Sequence, residues 1–136
     1  MGAGINCWIE YDEHNTPPFS QQPNVLPLTD WRDLDGAKDY PVYGALSGIR
    51  NSTGIPPLFP LRGVPVNPSW QLTKYVGKYG TYLIGWLHPS EVKLALAHHH
   101  VPADFISLEM KCVLHTLDYF AATIGDDRVR FVFEIE

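Results

Sequence analysis

Polar and apolar positions alternate at both ends of this chain and fall into helical spacing between them. Ile5, Cys7, Ile9 and Tyr11 share one face of an extended segment, with Asn6, Trp8 and Glu10 on the other. Val129, Phe131, Phe133 and Ile135 alternate in the same way. Ahead of them, Val113, Leu114, Leu117, Phe120, Ala121 and Ile124 recur at helical spacing until Gly125-Asp126-Asp127. Phe105 to Met110 also alternates, with Ile106, Leu108 and Met110 on one face, which predicts a strand. The stretch from Asp104 to Glu136 therefore reads as a βαβ unit around which the rest is organised. Burial of its helix is expected to be the main stabilising contact of the sheet.

The middle of the chain adds shorter elements. Pro41 to Ile49 predicts a helix with Val42, Tyr43, Leu46 and Ile49 along one side. Ser69 has the chemistry of an N-cap for a helix running to about Lys78. Thr81 to Leu87 is β-branched and aromatic and predicts a strand. His88, Pro89 and Glu91 then open a helix that His98-His99-His100 and Pro102 close. Residues 12–39 hold Pro17, Pro18, Pro23 and Pro27 and lack sustained periodicity. They are expected to form a long loop, ordered through Leu26, Leu28, Trp31 and Leu34, that packs on the sheet and covers Trp8. The resulting fold class is α+β. It is a single domain over 1–136 with a mixed four-stranded sheet, helices mainly on one face and a C-terminal βαβ unit.

A chain of 136 residues is large enough to bury a core without a metal or disulfide staple. Its net charge of −5 argues against general nucleic-acid binding, which needs a basic stripe. Two cysteines make no disulfide framework, so a reduced compartment, the cytosol, is expected. No basic segment followed by an apolar run suggests a secretory signal, and no apolar run is long enough to span a membrane.

Candidate chemistry is sparse. His98, His99 and His100 point about 100° apart on a helix and cannot converge on one ion. Their expected role is a favourable imidazolium charge at a helix C-terminus, and no metal or cofactor is implied. Cys7 lies on the apolar face as a core thiol, and a Cys7–His115 pair is a weak alternative. Arg50 and Arg62 each sit in a glycine-containing turn, where a guanidinium can grip an anion in bidentate fashion. Gly63 adds free backbone N–H, and Lys74 and Lys78 add charge. The tryptophans Trp8, Trp31, Trp70 and Trp86, with Tyr40, Tyr43, Tyr75, Tyr79 and Tyr82, could stack on a base or anchor loops. The ligand-binding set expected from these residues is Arg50, Arg62, Gly63, Trp8, Tyr82 and Trp86, and it contains no catalytic group.

The chain opens Met1-Gly2-Ala3-Gly4-Ile5-Asn6-Cys7-Trp8-Ile9-Glu10. Asp39-Tyr40-Pro41-Val42-Tyr43 then leads to Leu46-Ser47-Gly48-Ile49-Arg50, Leu61-Arg62-Gly63-Val64-Pro65 follows, and Val129-Arg130-Phe131-Val132-Phe133 closes the chain. In this order the pieces resemble a family of small uncharacterised bacteriophage and prophage proteins that begin Met-Gly-Cys-Asp-Ile-His. That family also carries a His-Ser-His-Ser run before an aromatic–Leu pair. Here Gly4 and Asn6 stand at its first Asp and His, and Tyr82-Leu83-Ile84-Gly85 stands at the run. The resemblance implies a phage-encoded, counter-defence binding protein in the host cytosol that has shed catalytic groups and sequesters a small anionic ligand, such as a nucleotide signal. Two other readings stand beside it. One is an inhibitor docking on a host defence nuclease or effector complex. The other is a nucleotide hydrolase or phosphodiesterase using His88 or His115 as base. Self-association as a homo-oligomer is left open.

Overall fold

A computed structural model describes residues 5–26, 40–48, 55–80 and 83–135. Four strands form one sheet: β1 (Ile5–Tyr11), β2 (Asn24–Leu26), β3 (Ile84–Leu87) and β4 (Val129–Ile135). Their order is β2-β1-β4-β3, and every neighbouring pair is antiparallel. The helices are α1 (Tyr40–Ser47), α2 (Trp70–Tyr79), α3 (Pro89–His98) and α4 (Leu108–Ile124). The α+β class, a four-stranded sheet and the C-terminal strand stand.

The expected strand over Phe105–Met110 does not form. Ala103–Phe105 is a 3-10 turn, and α4 begins at Leu108. Ser107 decides this, because its hydroxyl accepts the Met110 N–H at 3.1 Å and caps the helix. Met110, Val113 and Leu117 then bury along one helical stripe, while Leu108 is left 73% exposed. The crossover from β3 to β4 therefore contains α3 and α4 with no strand between. It brings β4 back antiparallel, between β1 and β3, so the sheet is not mixed. The fourth strand is β2, inside the stretch expected to be loop throughout. Leu26 anchors it against the core, whereas Leu28, Trp31 and Leu34 lie outside the described residues.

Register fixes which side chains share a face. Cys7 pairs with Phe133, Ile9 with Phe131 and Tyr11 with Val129, so the apolar alternations of β1 and β4 face the same way. Val42 and Leu46 of α1, Val92 and Ala95 of α3, and Met110, Val113 and Leu117 of α4 close this core. Cys7 is buried in it, as expected of an inert thiol. Gly85 faces the same core. A Cβ there would stand 2.7 Å from Leu61 Cδ2 and 3.0 Å from the Phe133 ring, so a side chain would force both to shift where the loop before α2 crosses β3.

The other face carries Asn6, Trp8 and Glu10, then Arg130, Val132 and Glu134, then Ile84 and Trp86. Glu10 and Arg130 pair across the strands at 2.7 Å, both buried. The 12–20 loop covers this end, with the Phe19 ring 4.0 Å from the Arg130 guanidinium. Trp8 is covered differently from expectation. Its lid is α2, which lies on this face through Leu72 and Val76, packed with Ile84 and Val132.

Candidate ligand-binding cleft

The sequence places α2 on the second face from both ends. Ser69 caps the helix, its hydroxyl accepting the Leu72 N–H at 3.2 Å. The Ser69 N–H donates to Glu10 Oε2 at 2.6 Å, which ties the helix start to the buried ion pair. Gly80, at φ +89, ends the helix where a side chain would be strained. Leu72 and Val76 turn inward to the sheet, and the residues on the flank toward β1 line a cleft open to solvent or a ligand.

Trp8, Trp70, Gln71, Lys74, Tyr75, Lys78 and Tyr79 line an open cleft of about 360 Å³. Tyr75 is its central ring. It stands edge-on to Trp8 with centroids 4.9 Å apart, and 4.7 Å from Tyr79. Its hydroxyl donates to Glu134 Oε2 at 2.6 Å and accepts from Asn6 Nδ2 at 2.9 Å, while Asn6 also donates to Glu134. The clamp fixes the ring and keeps the Glu134 carboxylate beneath it, out of solvent. Trp70 and Tyr79, 59% and 55% exposed, stand at the two ends of the helix. Lys74 Nζ lies 5.0 Å from the Trp70 ring, and Lys78 Nζ lies 5.1 Å from the Tyr79 ring. The helix bears both lysines and no carboxylate, on a chain whose net charge is −5. An aromatic wall with two cations is suited to a flat ring joined to an anion.

The residues expected to form one site are divided by the fold. Trp8 borders the cleft. Trp86 lies beyond Val132 in the same cross-strand row, and its ring faces Arg62 at 4.8 Å. Arg62 is engaged within the chain. Nη1 and Nη2 donate to the two carboxylate oxygens of Glu91 at 2.7 and 2.5 Å, with Phe59 on another side of the guanidinium. These bonds, against the opposing effect of burial, raise the Arg62 pKa and hold the Glu91 carboxyl below the usual carboxylate range. Glu91 also accepts the His88 N–H, completing the cap of α3. The Gly63 N–H donates to the Ile84 carbonyl at 3.0 Å. An incoming anion would have to displace Glu91 from Arg62 and Ile84 from Gly63. Arg50 and Tyr82 lie outside the described residues.

Lys74, Lys78, Trp70, Tyr75 and Tyr79 carry the cleft, and Gln71 joins them. The signal for them was the helical spacing itself. Trp70, Lys74 and Lys78 recur every four residues, as do Gln71, Tyr75 and Tyr79. A second depression of about 310 Å³ lies between α3 and α4, but its polar groups satisfy one another. Ser90 bonds Asp126, and Lys93 bonds Asp118. Among the described residues no group of three or more His, Cys, Asp or Glu could hold a metal ion. His99 is not the helix-end imidazolium expected from sequence. It is buried without a hydrogen-bond partner, and burial lowers its pKa. His115 is exposed on α4 while Cys7 is in the core, and neither lines the cleft.

Fold and cleft together define the class: an α+β domain with an aromatic, lysine-bearing groove between one helix and the open face of its sheet. Comparison with known proteins finds no matching family model, no matching curated protein and no matching solved structure. Among the described residues no helix is long and apolar enough to cross a membrane.

Proposed function

We propose that this protein binds a small aromatic anion of the nucleotide class in the cleft between α2 and β1. The observation that carries this reading is the pairing of each exposed ring with its own lysine, Trp70 with Lys74 and Tyr79 with Lys78. A base can stack on the ring while a phosphate draws the ammonium from it, so stacking and charge act on one ligand. Nothing in the cleft is arranged as a nucleophile with its base, so the reading is binding without turnover. A protein of this kind would sequester a nucleotide signal, the counter-defence role that the phage resemblance implies.

Tryptophan fluorescence tests the reading, since Trp8 and Trp70 both line the cleft. Titration with AMP, ADP and ATP is expected to quench it saturably. The double variant Lys74→Glu, Lys78→Glu is expected to lose that response and keep its melting temperature. A flat titration for all three nucleotides would overturn the assignment.

A further inference from the structure

The outer face of α4 carries a second pattern. Met110, Val113 and Leu117 turn to the core, and on the opposite side Leu108, Cys112, His115, Tyr119 and Ala122 are all exposed. These five follow one another at intervals of four, three, four and three residues. At about 100° per residue they fall within an arc of about 80°. That is the spacing of a seam between two helices. Leu108 is 73% exposed and Tyr119 69%, and Phe105, 62% exposed, stands in the turn just ahead of the helix. The flanking Thr116 and Thr123 turn their hydroxyls back onto the carbonyls of Cys112 and Tyr119, at 2.8 and 2.6 Å. Those hydroxyls are therefore bonded within the helix.

We propose that this face pairs with the same face of a second copy of the chain, the two α4 helices running antiparallel. Charge selects the arrangement. With the helices antiparallel about a two-fold axis, Leu108 packs against Tyr119 of the second copy and Cys112 against its His115. In the same register Lys111, on one flank of the seam, meets Asp118 of the second copy, and the axis repeats that pair. On the other flank Glu109 meets a threonine, Thr116. With the helices parallel, Lys111 and Asp118 would face Thr116 and Thr123 and form no ion pair. Asp118 holds Lys93 at 3.0 Å within the chain, and its side chain, 43% exposed, stays open to a second cation. Each helix is already built on its buried face, so pairing requires no helix formation. The α2 cleft lies on the other face of the sheet, so the pairing does not depend on what the cleft binds.

Sedimentation velocity of the full chain, from about 5 µM to about 1 mM, tests this against an expected dissociation constant of about 10–100 µM, the weak end for so small an interface. Leu108→Glu and Tyr119→Glu are each expected to stay monomeric throughout. Both positions are exposed, so the melting temperature in dilute solution should not fall. Lys111→Glu and Asp118→Lys should each weaken the dimer about tenfold, because two attractive pairs become two repulsive ones. An equimolar mixture of those two variants restores opposite charges at both pairs and should dimerise like the wild type. A wild type that is monomeric at every concentration, or a dimer that survives Leu108→Glu, would overturn the proposal. A mixture that associates no better than either charge variant alone would overturn the antiparallel arrangement.

Discussion

The Arg130 guanidinium on β4 is bound at 2.7 Å to the Glu10 carboxylate on β1, with both side chains out of solvent. The two residues are direct cross-strand partners on the face opposite the core. Each partner makes a further bond. Glu10 Oε2 accepts the Ser69 N–H, and Arg130 Nη2 donates to the Asn67 carbonyl at 3.0 Å. Asn67 in turn donates to the Phe19 carbonyl, and both residues sit at positive φ, 48° and 59°. One ion pair therefore holds two loops and the start of the cleft helix to the sheet.

Breaking that pair from one side leaves a buried charge without its partner. Arg130→Met is expected to cost about 3–5 kcal/mol of stability, read from the denaturant midpoint at unchanged m-value. Adding Glu10→Leu removes the stranded carboxylate and should recover part of the loss. It cannot recover all of it, because the Ser69 N–H then lacks its acceptor. A double variant as unstable as Arg130→Met alone would show that the pair itself contributes little.

The sequence setting places Arg62 among the expected ligand-binding residues, but its bidentate bond to Glu91 gives it a structural task. Arg62 ties the loop before α2 to the first turn of α3, and its loss leaves Glu91 and the Phe59 and Trp86 rings without their cation. The side chains are 26% and 19% exposed, so solvent screening limits the effect to about 1 kcal/mol. A melting temperature lower by a few degrees, with nucleotide affinity at the α2 cleft unchanged, is the expected result. Lost affinity at an unchanged melting temperature would restore Arg62 to the binding site.

The strands and caps were legible because their signals are local. Period-two alternation placed β1 and β4 and assigned their faces, and Ser69 and His88 marked two helix starts by residue type alone. Phe105–Met110 shows where such signals compete. Three alternating apolar residues read as a strand, but a serine cap followed by helical spacing from Met110 outweighed them. The site was harder to read for a different reason. Whether an arginine is available to a ligand depends on its partners, and Glu91 is 29 positions from Arg62 while Glu10 is 120 from Arg130. No periodicity links such pairs. The spacing of Trp70, Lys74 and Lys78 was visible, but that α2 would lie by itself on the second face followed only from the topology.

Leu117 tests the weight given to α4. It is 1% exposed and belongs, with Met110 and Val113, to the stripe that closes the core. Leu117→Asp places a carboxylate there with no partner, at a cost comparable to the whole stability of a domain, which is about 5–15 kcal/mol. The far-UV circular dichroism of the helices is expected to collapse. Leu117→Ala, which only opens a cavity, should stay folded and lose about 2–5 kcal/mol. A folded Asp variant would mean that α4 does not close the core.

Stability should also fall on mild acidification, and His99 is the residue responsible. The residue is 4% exposed and neither ring nitrogen has a hydrogen-bond partner. Burial lowers its pKa below the ordinary 6.5, helped by His98, whose ring is 5.2 Å away, and by His100. The Pro56 carbonyl, outside hydrogen-bonding geometry, pulls the other way. Below pH 6.5 the unfolded chain therefore binds this proton and the folded chain resists it. The stabilisation is complete above 6.5 and is lost as pH falls toward the folded value. While His99 alone is titrating, the slope approaches about 1.4 kcal/mol per pH unit. Asp12 acts in a separate, lower window. Burial would raise its pKa, but N–H donors from Asn15, Phe19 and His14 outweigh that and hold it below 3.8. His99→Leu removes the upper window and leaves the lower one. Denaturant titrations of both proteins between pH 7 and pH 4.5 should show the wild type losing stability while the Leu variant stays nearly level. Parallel slopes would mean that the buried imidazole finds a proton acceptor in solution and is no source of acid sensitivity.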